Sequence, residues 1–200
     1  MKGILFTEFM SFVEAELGDE ALDEIIETCA GKLSTDGAYT SVGTYPCEEL
    51  QALLAAAAHR SGASQQALLE SFGQNLASTF VKAYPDYFNR CSNLFDFVAQ
   101  IDSYIHLEVL KLYPDAELPR FDVVARDDDR IALSYESPRG LHHLAVGLFH
   151  GSAAHYREPV QVSFEPAAGD GSSGRFELVR SSPTKLGSAR AKTAPSRTPE

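Results

Sequence analysis

Cysteine is scarce in this chain. Three residues, Cys29, Cys47 and Cys91, are spread over 200 positions. They are odd in number and form no Cys-x-x-Cys pair, so neither a disulfide framework nor a cysteine-rich zinc site is indicated. Three buried, reduced thiols in the cytosol are the simplest reading. Positive charge is scarce as well: 17 Lys and Arg stand against 28 Asp and Glu, a net charge of -11. Phosphate binding needs a basic surface, so no nucleic-acid partner is expected, and no anionic membrane surface. Long apolar runs are missing too. The start has Lys2 followed by Ile4, Leu5 and Phe6, like a leader. Glu8, Glu14 and Glu16 interrupt it, and no small-residue cleavage site follows. Nothing approaches the roughly 18 apolar residues of a membrane span. A soluble cytoplasmic protein is expected. Its 44% hydrophobic and 22% charged residues are ordinary for a globular chain of one domain, or of one domain in two subdomains.

Taken in order, residues 4–17 place Leu5, Phe9, Phe12, Val13 and Leu17 at helical spacing, with Gly18 as the stop. A second helix is predicted over Ala21–Ala30, an ordered loop over Gly37–Pro46, and a third helix over Cys47–Arg60. Ser64 is placed to cap a fourth helix that runs to about Tyr84, before a turn rich in aromatics. A long helix follows from Asn93, with Leu94, Phe97, Val98, Ile101, Ile105, Val109 and Leu112 as one apolar stripe and His106 beside it. After about residue 115 the pattern changes. Phe121–Ala125 and Ile131–Tyr135 are short β-rich runs around an Asp127-Asp128-Asp129 turn. Gly140–Tyr156 is helical, Val160–Phe164 and Arg175–Val179 are strands, and Ala167–Gly174 is a flexible loop. The fold class expected is α+β, with a helical N-terminal part followed by an antiparallel-sheet-plus-helix part. Residues 181–200 carry Lys185, Arg190, Lys192 and Arg197 against Glu200, with Leu186 as their one large aliphatic residue, and are expected to be a disordered basic tail.

Two constellations carry chemistry. Of the six histidines, His143 and His150 share a helix face but are seven apart, a poor spacing for a metal pair. His106 differs because it lies beside an apolar stripe. It suits either a core histidine bonded to a backbone carbonyl or a ligand. Tyr135-x-Ser137-x-Arg139 is the second constellation. In an extended segment these three donors share one side, and Pro138 favours an extended Ser137. Such a comb suits two neighbouring carboxylates, although a polar strand edge has the same pattern.

The start MKGILF, the helix segment IDSYIHLEVLKLYP, the LPRF that follows, YESPRGL at Tyr135–Leu141 and GLFHG at Gly147–Gly151 together resemble the haem nitric-oxide/oxygen-binding (H-NOX, HNOB) domains. These are relatives of the haem domain of soluble guanylate cyclase and of free-standing bacterial sensors. The resemblance covers about residues 1–180, with subdomains near 1–65 and 66–180. It implies haem b, held non-covalently since no Cys-x-x-Cys-His run occurs, with His106 as the iron ligand. It implies that Tyr135, Ser137 and Arg139 bind the propionates and that Pro119 presses on the porphyrin. Leu5, Phe9, Leu144 and Leu148 would lie near the gas pocket. A neutral imidazole is a good iron ligand, and the porphyrin's carboxylates need paired donors.

Oxygen-binding relatives carry a tyrosine five residues after the motif arginine; here that position is Leu144. Tyr104 falls on the His106 helix and Tyr156 at the far end of its own, so neither is expected to substitute. The expectation is therefore a sensor for nitric oxide, also binding carbon monoxide, that forms no stable oxygen complex. Gas binding would weaken the bond between iron and His106 and shift the two subdomains. The signal would pass to a partner in trans, a histidine kinase or a cyclic di-GMP enzyme. An enzyme is not expected, because no phosphate loop, metal-binding acid pair or nucleophile–base spacing is present. The alternative readings are a haem-free module for an apolar ligand and a haem carrier.

Overall fold

Chain punctuation accounts for most helix ends. The computed structural model describes residues 1–167, 169 and 171–181. Helix α1 spans Gly3–Leu17 and stops at Gly18, whose φ of 88° is one that side chains with a Cβ avoid. Helix α2, Asp19–Thr28, carries Asp19 and Glu20 in its first turn, where they complement the helix dipole. Helix α3, Cys47–Ser61, closes on Gly62 in the left-handed conformation. The Ser64 hydroxyl accepts the Ala67 N–H at 3.1 Å and so caps α4, Gln65–Ala83. Pro85 opens the short α5, Pro85–Asn89, at a position that needs no N–H.

The expected long helix from Asn93 is corrected into three pieces. Asn93 caps α6, Leu94–Ala99. Ile101–Ile105 then forms one π turn, in which the Ile105 N–H reaches back five residues to the Gln100 carbonyl at 3.1 Å. Helix α7, His106–Leu112, follows directly. A π turn holds an extra residue, so side chains beyond it are rotated by about 100° from the phase of a straight helix. The single apolar stripe therefore breaks. Leu94, Phe97 and Val98 are buried, Ile101, Ile105 and Val109 are half-buried, and Leu112 is 67% exposed.

Four antiparallel strands follow, β1 (Arg120–Arg126), β2 (Arg130–Glu136), β3 (Val160–Pro166) and β4 (Ser173–Arg180), in the spatial order β1-β2-β4-β3. Asp127 makes the first hairpin turn, its Oδ1 accepting the N–H groups of Asp129 and Arg130 at 3.0 and 2.8 Å. Helix α8, His142–Tyr156, connects β2 to β3. Gly174, expected in a loop, is a strand residue paired with Tyr135 and Pro166, because β4 begins at Ser173. The architecture is α+β as expected. The predicted basic tail, Ser181 apart, lies outside the described residues.

The apolar residues form two clusters. One is built by α1–α4 around Phe6, Phe9, Phe72 and Leu53. The other is built by α5, α6, α8 and the sheet around Phe95, Leu133, Phe149 and Phe176. Helices α4 and α8 join them at backbone contact. A Cβ placed on Gly147 would stand 2.1 Å from the Glu70 carbonyl oxygen, and one on Gly73 would stand 2.5 Å from that of Leu144. The seam requires glycine on both helices. Among the described residues no helix is long and apolar enough to cross a membrane.

Candidate functional site

Between the two clusters lies an apolar cavity. Its walls are Leu5 of α1, Leu76, Ala77 and Phe80 of α4, Phe97 of α6, Ile101 and Ile105 of the π turn, Phe121 of β1, and Leu141 with the Leu144, Ala145, Leu148 and Phe149 side chains of α8. His106, Pro119, Tyr135, Ser137 and Arg139 line the same cavity. The structure thus brings together eight of the nine residues singled out from sequence. Phe9 does not line it. It is 1% exposed and packs edge-on against Phe72, ring centroids 5.2 Å apart, in the N-terminal cluster. Among the described residues of α1, α4 and α8 on the wall, Ser152 alone carries a hydroxyl.

His106 enters the cavity from the first turn of α7, directly after the π turn. Asp102 lies within that turn, and its Oδ1 is 3.0 Å from His106 Nδ1. When Nδ1–H donates to this carboxylate, Nε2 carries the lone pair. Burial pushes the His106 pKa below its ordinary value against the opposing pull of Asp102, so the ring is neutral near pH 7. A neutral imidazole with one nitrogen held by a carboxylate is a prepared metal ligand. Asp102 was missed in the sequence reading, although its four-residue spacing from His106 was the available signal.

The donor comb departs from full extension. Tyr135 lies in β2, 2% exposed, and its pKa is raised chiefly by burial, against the opposing pull of Ser137 and Arg139. Beyond Glu136 the chain turns: the Gly140 N–H reaches the Ser137 carbonyl at 3.4 Å with Pro138 inside the turn, and Gly140 adopts a φ of 61°. Arg139 is therefore a turn residue, yet it reaches the cavity beside Ser137. Its terminal nitrogens donate to the Glu117 carbonyl at 2.5 Å and to Glu117 Oε2 at 2.6 Å. The N-terminus closes this end. Met1 lines the cavity, and its ammonium donates to the Tyr45 carbonyl at 2.7 Å.

The two tyrosines weighed as intruders are engaged elsewhere. Tyr104 lies under the Arg90 guanidinium at 3.9 Å, and Tyr156 donates to the Phe88 carbonyl at 2.8 Å. The His143 ring pairs with Glu70 at 2.7 Å. Among the described residues no group of three or more His, Cys, Asp or Glu is placed to hold a bare metal ion. An apolar slot with one prepared imidazole and a polar end of Tyr, Ser and Arg suits a planar apolar ring system bearing carboxylates.

Residues 2–164 match the Haem-NO-binding family. The chain belongs to this family, whose members are haem-based gas sensors. Solved structures agree. It is similar to the Fe(II) unliganded H-NOX protein of K. algicida, with 32% identity over 94% of this chain and 100% of that one, at a TM-score of 0.86. It is also similar to an H-NOX protein of S. oneidensis solved in the Fe(II)NO state, with 30% identity over 91% and 100% of the two chains, at a TM-score of 0.81. A point mutant of the T. tengcongensis H-NOX, 22% identical over 92% and 100% of the chains, shares the fold at a TM-score of 0.79. No curated protein sequence matches the chain.

Proposed function

We propose that the chain is a nitric-oxide sensor that holds haem b on His106. The observation that carries this reading is a meeting of three features at one cavity: a half-buried neutral imidazole braced by Asp102, an apolar slot, and the Tyr135, Ser137 and Arg139 donors. His106 would hold the iron through Nε2. Arg139, with the two hydroxyls, would pair the propionates, and Pro119 would pack on the ring. Once bound, the haem would supply a ferrous iron able to take a diatomic gas, with His106 holding that iron from the protein side.

The rest of the mechanism belongs to the chain. Bound dioxygen carries partial negative charge and needs a nearby donor, whereas nitric oxide and carbon monoxide need much less. The position where oxygen-binding relatives carry a tyrosine is Leu144, 7% exposed, on a wall of Leu, Ala and Phe with Ser152 as its one hydroxyl among the described residues. That wall supports selectivity against oxygen. If the iron let go of His106, Asp102 would still face its Nδ1, and α7 would be free to shift against the sheet. A gas drives such a shift only through different affinities for the two arrangements. A partner protein in trans, of the histidine-kinase or cyclic di-GMP class, would read it.

The test is the visible spectrum of the reduced, haem-loaded protein under argon, air, carbon monoxide and nitric oxide. The expected result is a change with the last two gases and none on brief exposure to air. A long-lived oxygen complex in air would contradict the selectivity, and a protein that takes up no haem would leave the apolar-ligand module as the reading.

A further inference from the structure

Glu117 is not among the residues that any assignment of this site uses, yet it consumes the best donor in it. Each terminal nitrogen of Arg139 gives one of its N–H groups to Glu117, one to its carbonyl and one to its carboxylate. The Arg139 side chain is 12% exposed and that of Glu117 is 74% exposed. The guanidinium is thus committed to the cavity end, while its partner sits at the solvent rim.

Glu117 is held there by more than this one contact. It lies in the segment joining α7 to β1, two residues before Pro119. Two residues earlier, Asp115 is bound by Lys2 Nζ at 3.0 Å and by the Thr44 hydroxyl at 3.0 Å. The segment is therefore pinned to the N-terminus on one side and to Arg139 on the other.

We propose that Glu117 competes with the propionates of the haem for Arg139 and thereby limits how firmly the chain holds its cofactor. This rests on the haem reading above. A guanidinium grips one carboxylate with a two-pronged fork. An incoming propionate must displace the Glu117 carboxylate or share the guanidinium with it, and sharing brings like charges together. Either way the hold is weaker than that of an unclaimed arginine. The site uses a carboxylate of its own as a placeholder for the ligand's.

The experiment compares haem loss from the full chain and from Glu117→Gln, read as transfer to excess apoglobin. Glutamine keeps the size and the backbone carbonyl and removes the charge. Haem loss from Glu117→Gln is expected to be roughly two- to fivefold slower, the scale of a partly exposed ion pair. Glu117→Ala should change the rate in the same direction. Haem dimethyl ester, which has no free carboxylate, should leave wild type and Glu117→Gln at equal rates. A wild type that holds haem while both variants lose it as fast or faster overturns the competition alone. So does a slowing that persists with the ester, since that would be a packing effect of the segment. A wild type that takes up no haem overturns the haem reading and this inference with it.

Discussion

Replacing Asp102 with Asn isolates what the carboxylate behind His106 contributes. The Oδ1–Nδ1 distance is 3.0 Å, and the side chains of Asp102 and His106 are 33% and 16% exposed. An asparagine oxygen still accepts the Nδ1–H, so the tautomer is retained and only the charge is lost. A hydrogen bond to a charged group contributes about 1.5–3 kcal/mol when well buried. With a third of Asp102 in solvent, about 1 kcal/mol is the reasonable share, or roughly a fivefold effect. Loss of such an outer partner costs about 10–100-fold in metal hold at zinc and related sites, so a value of about five- to tenfold sits at the low end. Asp102→Asn should therefore lose haem about five- to tenfold faster, measured by transfer to apoglobin. The iron–histidine stretch in resonance Raman spectra should fall in frequency, because a less basic imidazole binds iron more weakly. An unchanged rate together with an unchanged stretch would refute the reasoning, and with it the claim that Asp102 prepares His106.

Other expectations test the fold and the site together. Gly147→Ala drives a Cβ to 2.1 Å from the Glu70 carbonyl oxygen, a backbone atom that cannot turn aside. Overpacking of about 1–3 kcal/mol should lower the Tm by roughly 2–12 °C, read by calorimetry. His106 and His142 both have pKa values pushed below the ordinary histidine value, in each case chiefly by burial. Folding therefore favours their neutral forms. Their contribution to the stability of the haem-free protein is full above the unfolded value of about 6.5 and is lost as the pH falls through their lowered folded values. His142→Phe, which keeps the stack on Phe164, should flatten part of that acid decline in a series of melts. Pro119→Ala removes a rigid ring from the cavity wall, and the Raman marker bands for out-of-plane haem distortion should weaken.

Much of this fold is written in local signals. Gly18, Ser64 and Gly62 each end or begin a helix for a reason visible in one or two residues. The alternation in Val160–Phe164 and the turn at Asp127 give the sheet its strands and one hairpin. The π turn was not legible, because a one-residue insertion in an apolar run leaves composition unchanged and shifts only the phase. Its effect appears at Leu112, expected in the stripe and found 67% exposed. The site residues divide in the same way. His106 and the Tyr-x-Ser-x-Arg set stand out in their surroundings, but their residue types alone leave a core histidine and a polar strand edge open, and their roles are named from the family resemblance. Phe9 lies in the N-terminal core and not on the cavity wall, because one face of α1 serves both that core and, through Leu5, the cavity. Glu117 is invisible in sequence, since a rim glutamate in an acidic chain resembles every other acid until its partner is known.

The central claim is that His106 holds the haem iron. Its most direct test is the ferrous spectrum of His106→Gly, with and without added imidazole, beside wild type. The account predicts a five-coordinate, histidine-ligated spectrum for wild type. It predicts a spectrum that is lost or altered in His106→Gly and restored when free imidazole enters the space left by the side chain. A variant that matches wild type without imidazole would contradict it, and the iron would have to be held by another residue.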